Sequence, residues 1–203
     1  MYNITDIQKQ TPQSGVRYLF DTNIWMEILS PYYDHEPDPD YNPYINFHDR
    51  IVGSSQKDGI KILMPAIVMS ELIGKHVAIG FDEYLNNLKI KVTFEGAKER
   101  KKYFKETYRK TDHYLGRLKG ICDSIKDYYR HLDFLSDNLQ SFKLSDILKN
   151  PPLHMEFNDH LLARIAGFYQ CPLITHDGDF SVEDVPIFTA NRQLLSLAKA
   201  VKV

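Results

Sequence analysis

At 203 residues, with 43% hydrophobic and 26% charged side chains, the chain has room for one domain with an elaboration and an ordinary soluble globular composition. A net charge of −2 excludes a global attraction to nucleic acid, so contact with a polyanion would need a local basic patch. Its apolar runs, such as 60–64, are far too short to span a bilayer, and residues 1–15 lack the apolar core of a secretory signal. Cys122 and Cys171 stand apart without CxxC spacing, which fits a reducing cytoplasm better than a disulfide or zinc framework.

In chain order, residues 1–15 read as a polar leader. Val16–Phe20 is a short β-rich run ending in Asp21-Thr22-Asn23, and a helical pattern follows from Ile24 until Pro31. Residues 31–43, rich in Pro, Tyr and Asp, form a long acidic loop. Tyr44–Ser55 reads as an amphipathic helix, Ile60–Met64 as the second strand, and Ala66–Val77 as a helix entered through Pro65 that carries Glu71. A helix is expected over Phe81–Leu88 and an edge strand over Ile90–Phe94. Residues 95–135 carry helical periodicity too long for one compact helix, so a break near Thr111-Asp112 or at Gly116 and Gly120 gives an inserted hairpin. A shorter helix is expected over Ser136–Pro152, so the insertion covers about 95–150.

The stretch 157–180 is a helix with Asp159 in its first turn, a tight turn, the buried strand Leu173–Thr175, and a loop holding Asp177 and Asp179. Val185–Thr189 is a further strand, and Asn191 caps a final helix over Asn191–Val201. Strands alternating with helices predict an α/β fold with a mostly parallel sheet, whose sites lie beyond the carboxyl ends of the strands. Asp21, Glu71, Asp159, Asp177 and Asp179 all follow strands or begin helices at that edge. Gathered carboxylates repel unless a hard divalent cation joins them.

Together, Leu19-Phe20-Asp21-Thr22-Asn23, Met64-Pro65-Ala66 through Ser70-Glu71-Leu72, Asn158-Asp159-His160 and Thr175-His176-Asp177-Gly178-Asp179 resemble the PIN-domain family of metal-dependent nucleases. The resemblance implies a single PIN-like domain over 16–203, a three-layer α/β/α fold with a central sheet of 4–5 strands and a helical insertion. It also implies an endoribonuclease that hydrolyses RNA phosphodiester bonds with Mg²⁺ or Mn²⁺. In that reading Asp21, Asp159 and Asp177 ligate the metal, Glu71 ligates a second metal or orients water, and Asp179 is a further ligand or support. Thr22, Asn23 and Thr175 would hydrogen-bond the carboxylates or the scissile phosphate. Its commonest setting is a VapC-type toxin with an antitoxin protein as partner, and such proteins often form homodimers. The later start of the first strand, the greater length and the insert depart from that type.

Two rival readings are a haloacid-dehalogenase-like phosphohydrolase with Asp21 as nucleophile, and a non-catalytic PIN-like scaffold binding RNA or protein. The first wants an acid two residues after Asp21, where Asn23 stands. Residues 95–119 hold nine Lys or Arg against four Asp or Glu, interleaved with aromatics. Lys98, Lys101, Lys102, Lys105 and Arg109 could therefore track an RNA backbone with the rings stacking on bases, or form a solvated face over core aromatics. The acidic loop 31–43, if beside the site, would repel RNA and gate it.

Overall fold

The computed structural model describes residues 3–33, 36–54, 56–88, 92–137, 155–180, 182 and 184–200. The chain divides into a sheet unit, Met1–Met69 with Tyr128–Val203, and a helical unit, Ser70–Asp127.

The sheet unit is built on β2 (Arg17–Phe20) and β3 (Lys61–Pro65), short runs too apolar to face water on either side. Leu19, Phe20, Ile62, Leu63 and Met64 are all fully buried. Each such side chain contributes about 1.5–3 kcal/mol of transfer free energy, so these strands form the middle of the sheet. β4 (Leu132–Leu135) pairs in parallel with β3, while β5 (Leu173–Ile174) and β6 (Ile187–Thr189) lie on the other side of β2. β1 (Ile4–Asp6) adds to β6, giving six parallel strands in the order β1-β6-β5-β2-β3-β4. Helices α1 (Thr22–Leu29) and α2 (Asn42–Val52) connect β2 to β3, and α6 (Phe157–Tyr169) leads into β5. The result is the three-layer α/β/α arrangement of a PIN-like fold, with a mostly parallel central sheet and helical insertions. Among the described residues, no helix is long and apolar enough to cross a membrane.

Several features differ from the sequence expectation: the sheet has six strands and not 4–5, and the helices expected over Ala66–Val77 and Phe81–Leu88 form one helix, Ala66–Asn86. The stretch read as a polar leader contributes an edge strand, because Ile4 and Ile7 are buried and Asn3 accepts a hydrogen bond from the Ile187 amide at 2.8 Å. The strand beside β3 is Leu132–Leu135 and not Ile90–Phe94, whose described residues 92–94 form no strand. A 3₁₀ turn at Tyr129–His131 ends the helical run and redirects the chain into β4. The helix expected over Ser136–Pro152 lies almost wholly outside the described residues.

The helical unit contains most of α3 (Ala66–Asn86), α4 (Ala97–Glu106) and α5 (Asp112–Asp127). The expected break falls at Thr107–Thr111, around the 3₁₀ turn Tyr108–Lys110, and Gly116 and Gly120 remain inside α5. Val77, Phe81 and Tyr108 form its core, with Tyr103, Phe104 and Tyr114 packed against them. Gly80 leaves space for an ion pair: a Cβ there would stand 2.6 Å from Arg117 Nε, whose guanidinium bonds Glu83 at 2.8 Å. His76 is 3% exposed, and burial followed by the Arg117 charge lowers its pKa to about 4.

Gly80→Ala should therefore destabilise this unit by about 1–3 kcal/mol through overpacking, measured by denaturant unfolding. Because the folded pKa of His76 lies below its unfolded value of 6.5, its neutral form contributes stability that is present above that pH. This contribution is lost as pH falls from the unfolded value toward about 4, by at most ~3 kcal/mol. His76→Asn should flatten that part of the stability–pH curve.

Candidate functional site

Strand order reverses between β2 and β5, which opens the crevice where parallel α/β sheets place their sites. Asp21 and Thr175 stand on either side of it, placed there by the register Leu19↔Leu173 and Phe20↔Ile174. Asp21 occupies the N-cap position of α1, yet its side chain makes no capping bond. Instead Thr175 Oγ1 donates to Asp21 Oδ2 at 2.9 Å, with Asp21 5% exposed and Thr175 fully buried. The same Thr175 oxygen accepts from the Asp177 amide at 3.0 Å, and Asp177 Oδ1 accepts from the Asp179 amide at 2.9 Å. Asp21, Thr175, Asp177 and Asp179 thus form one hydrogen-bonded chain that runs from the end of β2 into the loop after β5. Asp177 works as a turn-forming aspartate, its oxygen replacing a backbone acceptor two residues on.

The other predicted acids are placed differently. Asp159 is half-buried in the first turn of α6, where a carboxylate complements the helix dipole. Glu71 belongs to the helical unit and pairs with Lys75 one turn along α3 at 3.0 Å. Thr22 is buried and Asn23 half-buried at the start of α1. Among the described residues, no three His, Cys, Asp or Glu side chains form a group that could hold a metal ion. This overturns the expected Mg²⁺- or Mn²⁺-dependent endoribonuclease, and with it the metal cofactor, RNA hydrolysis and the toxin activity built on that chemistry. At the strand end itself, Asp21 Oδ2 accepts from Thr175 and Asp177 Oδ1 accepts from the Asp179 amide. The phosphohydrolase alternative meets the same obstacle, since its nucleophile would be the buried, hydrogen-bonded Asp21.

The basic stretch resolves into an exposed helix face over core aromatics. Lys98, Lys101, Lys102, Lys105 and Arg109 are exposed, whereas Tyr103, Phe104, Tyr108 and Tyr114 pack into the core of the helical unit. Arg109 lies over the Phe104 ring at 5.2 Å, and Lys102 is 4.0 Å from Glu106. The rings are therefore occupied by packing and not presented for base stacking.

A second cluster, at the ends of β5 and β6, was not singled out by the sequence. The buried Tyr44 hydroxyl, on α2, accepts from the Ala190 amide at 2.7 Å and lies 2.9 Å from His176 Nδ1 and 3.2 Å from Thr189 Oγ1. Asn191 Nδ2 donates to the His176 carbonyl at 2.7 Å, while Asn191 Oδ1 accepts from the Gln193 and Leu194 amides to cap α7 (Arg192–Ala200). Tyr41 packs on the His176 ring at 4.8 Å, and its hydroxyl pKa is pushed up to about 12 by burial and then by the Glu27 carboxylate. The end of the acidic loop is thus fastened to the sheet edge, with Glu27 accepting from the Asp38 amide at 2.9 Å. Beside these contacts open two cavities of about 850 and about 590 Å³, both bordered by Gln8, Pro39 and Pro43. The one available sequence signal was the pair of prolines flanking Asp40-Tyr41-Asn42, which marks a stiff segment entering a helix.

No protein-family model matches the chain, and no curated protein matches it. Among solved structures it is similar to VapBC2 from Rickettsia felis bound to a DNA fragment from its promoter, at 12% identity and a TM-score of 0.47. That match covers 86% of this chain and 98% of the other.

Thr175→Val removes the donor to a buried carboxylate and should cost about 1–3 kcal/mol in denaturant unfolding. A double-mutant cycle with Asp21→Asn should show coupling between the two sites. Adding Mg²⁺ or Mn²⁺ should leave the melting temperature unchanged, whereas a bound ion would raise it with concentration.

Proposed function

We propose that this chain is a protein-binding module on a PIN-like α/β scaffold. The observation that carries the reading is the charge balance of the open edge of the sheet unit. One cavity is bordered by Asp49 and Arg50, and the other by Asp40 and Arg192. RNA affinity depends on cations neutralising phosphates, and each Arg here is accompanied by an Asp that opposes this. A mixed polar surface with both signs interspersed suits the surface of a protein partner. The internal use of Asp21, Thr175 and Asp177 supports the same reading, because it directs those groups to holding the scaffold. The exposed lysines of α4 are read as a solvated face, since the rings beneath them are packed.

Paired amine-reactive and ultraviolet crosslinking of the tagged chain, in the cells that make it, tests this directly. The expected product is a discrete adduct destroyed by protease and resistant to ribonuclease. A ribonuclease-sensitive adduct, or tight salt-sensitive binding of arbitrary RNA, would sink the reading.

A further inference from the structure

The helical unit carries a patch of positive charge that its own carboxylates do not neutralise. Lys98, Lys101, Lys102 and Lys105 stand three or four residues apart on α4, so they share one face of the helix, and all are exposed. The other side of α4 is taken up by Tyr103 and Phe104, which pack against the core of Val77, Phe81 and Tyr108. Arg100 is already paired with Asp82 of α3, and Lys102 lies 4.0 Å from Glu106. Among the described residues, Lys98, Lys101 and Lys105 have no carboxylate within ion-pair distance.

This arrangement works against the helix that bears it. Like charges three or four residues apart repel, and Lys98 faces Lys101 and Lys102 in this way, as Lys105 does in turn. Lys98 also sits in the first turn, where the helix dipole favours an anion. A face that met only water would be better served by acids interleaved with the lysines. We infer that this face, solvated in the free chain, docks an acidic polypeptide segment of a protein partner, an inference that rests on the protein-binding reading above.

Charge density separates this occupant from nucleic acid. From Lys98 to Lys105 the face runs about 10 Å, at ~1.5 Å per residue. A duplex presents ~6 phosphate charges over that length, one per ~1.7 Å, which Lys98, Lys101 and Lys105 cannot match. Glu99 and Glu106, on the flank of the stripe, deepen the mismatch. A single strand is less densely charged but relies on exposed rings for stacking, and Tyr103, Phe104 and Tyr108 are packed. A polypeptide helix with carboxylates at three-four spacing presents one charge per ~5 Å, which meets the lysines one for one.

The test is zero-length carbodiimide crosslinking of the full chain in a lysate of the cells that make it, which joins a lysine amine to a carboxylate already in ion-pair contact. The links are mapped by mass spectrometry, and a synthetic peptide of the mapped segment is titrated into the chain. The expected links run from Lys98, Lys101 or Lys105 to Asp or Glu side chains of one segment of a different protein. None is expected from Lys126, which is exposed but already paired with Asp123 at 2.8 Å. The peptide should bind about tenfold more weakly to Lys101→Glu, and Lys101→Arg should retain its binding. Lys101→Glu should not lower the unfolding midpoint, because it turns the repulsion from Lys105 into attraction, so lost binding would not reflect lost folding. Links scattered over lysines of every surface, links to a second copy of this chain, or peptide binding unchanged by Lys101→Glu would overturn the inference. Ultraviolet crosslinking of RNA to residues 98–105 would overturn it as well. A protein joined only elsewhere on the chain would overturn this docking face and leave the protein-binding reading standing, whereas no protein adduct at all would overturn both.

Discussion

One hydrogen bond organises the centre of the sheet unit, that of the Thr175 hydroxyl to the Asp21 carboxylate. It spans the point where strand order reverses, the one place in such a sheet where two neighbouring strands send their connections to opposite sides. Asp21 and Thr175 are both buried there, and local i,i+2 bonds at Thr175 and Asp177 shape the loop that follows. A buried carboxylate is costly unless hydrogen-bonded, and Thr175 meets part of that requirement from the adjacent strand.

The consequence for function follows from where the remaining polar groups open to solvent. They lie at the ends of β1, β5 and β6, where Gln8, His176 and Asn191 meet the segment Pro39–Arg50. The acidic loop, expected to gate the site only if it lay beside it, borders one of these cavities through Pro39 and Asp40. Tyr41 on His176 and the Tyr44 hydroxyl hold this segment against the sheet. These open polar groups lie beside the crevice between β2 and β5 and not within it.

Much of the fold was legible in the sequence because its signals are local. The apolar runs of β2 and β3, the Asn191 cap and the break around Thr107–Thr111 all depend on a few adjacent residues. β1 was not legible, since Ile4–Asp6 is three residues long and becomes a strand only by pairing with β6 at Ile187–Thr189. β4 was read as helix because its leucines continue a three-four spacing, and only the turn at Tyr129–His131 breaks it. For the site, residue types at strand ends correctly placed Asp21 and the Asp177 loop at one edge of the sheet. They carry no information on which oxygen meets which hydroxyl, and that orientation separates a metal ligand from a structural acceptor. The Tyr44 network was equally hidden, because it joins positions 132 to 146 residues apart.

The central claim is that the acids beside the strand reversal serve the scaffold and not a cation. Anomalous diffraction from a crystal soaked in Mn²⁺ tests it most directly. The account predicts no manganese peak between Asp21 and Asp177, with the Thr175–Asp21 hydrogen bond intact. A manganese ion coordinated by both carboxylates, with Thr175 turned away from Asp21, would contradict it.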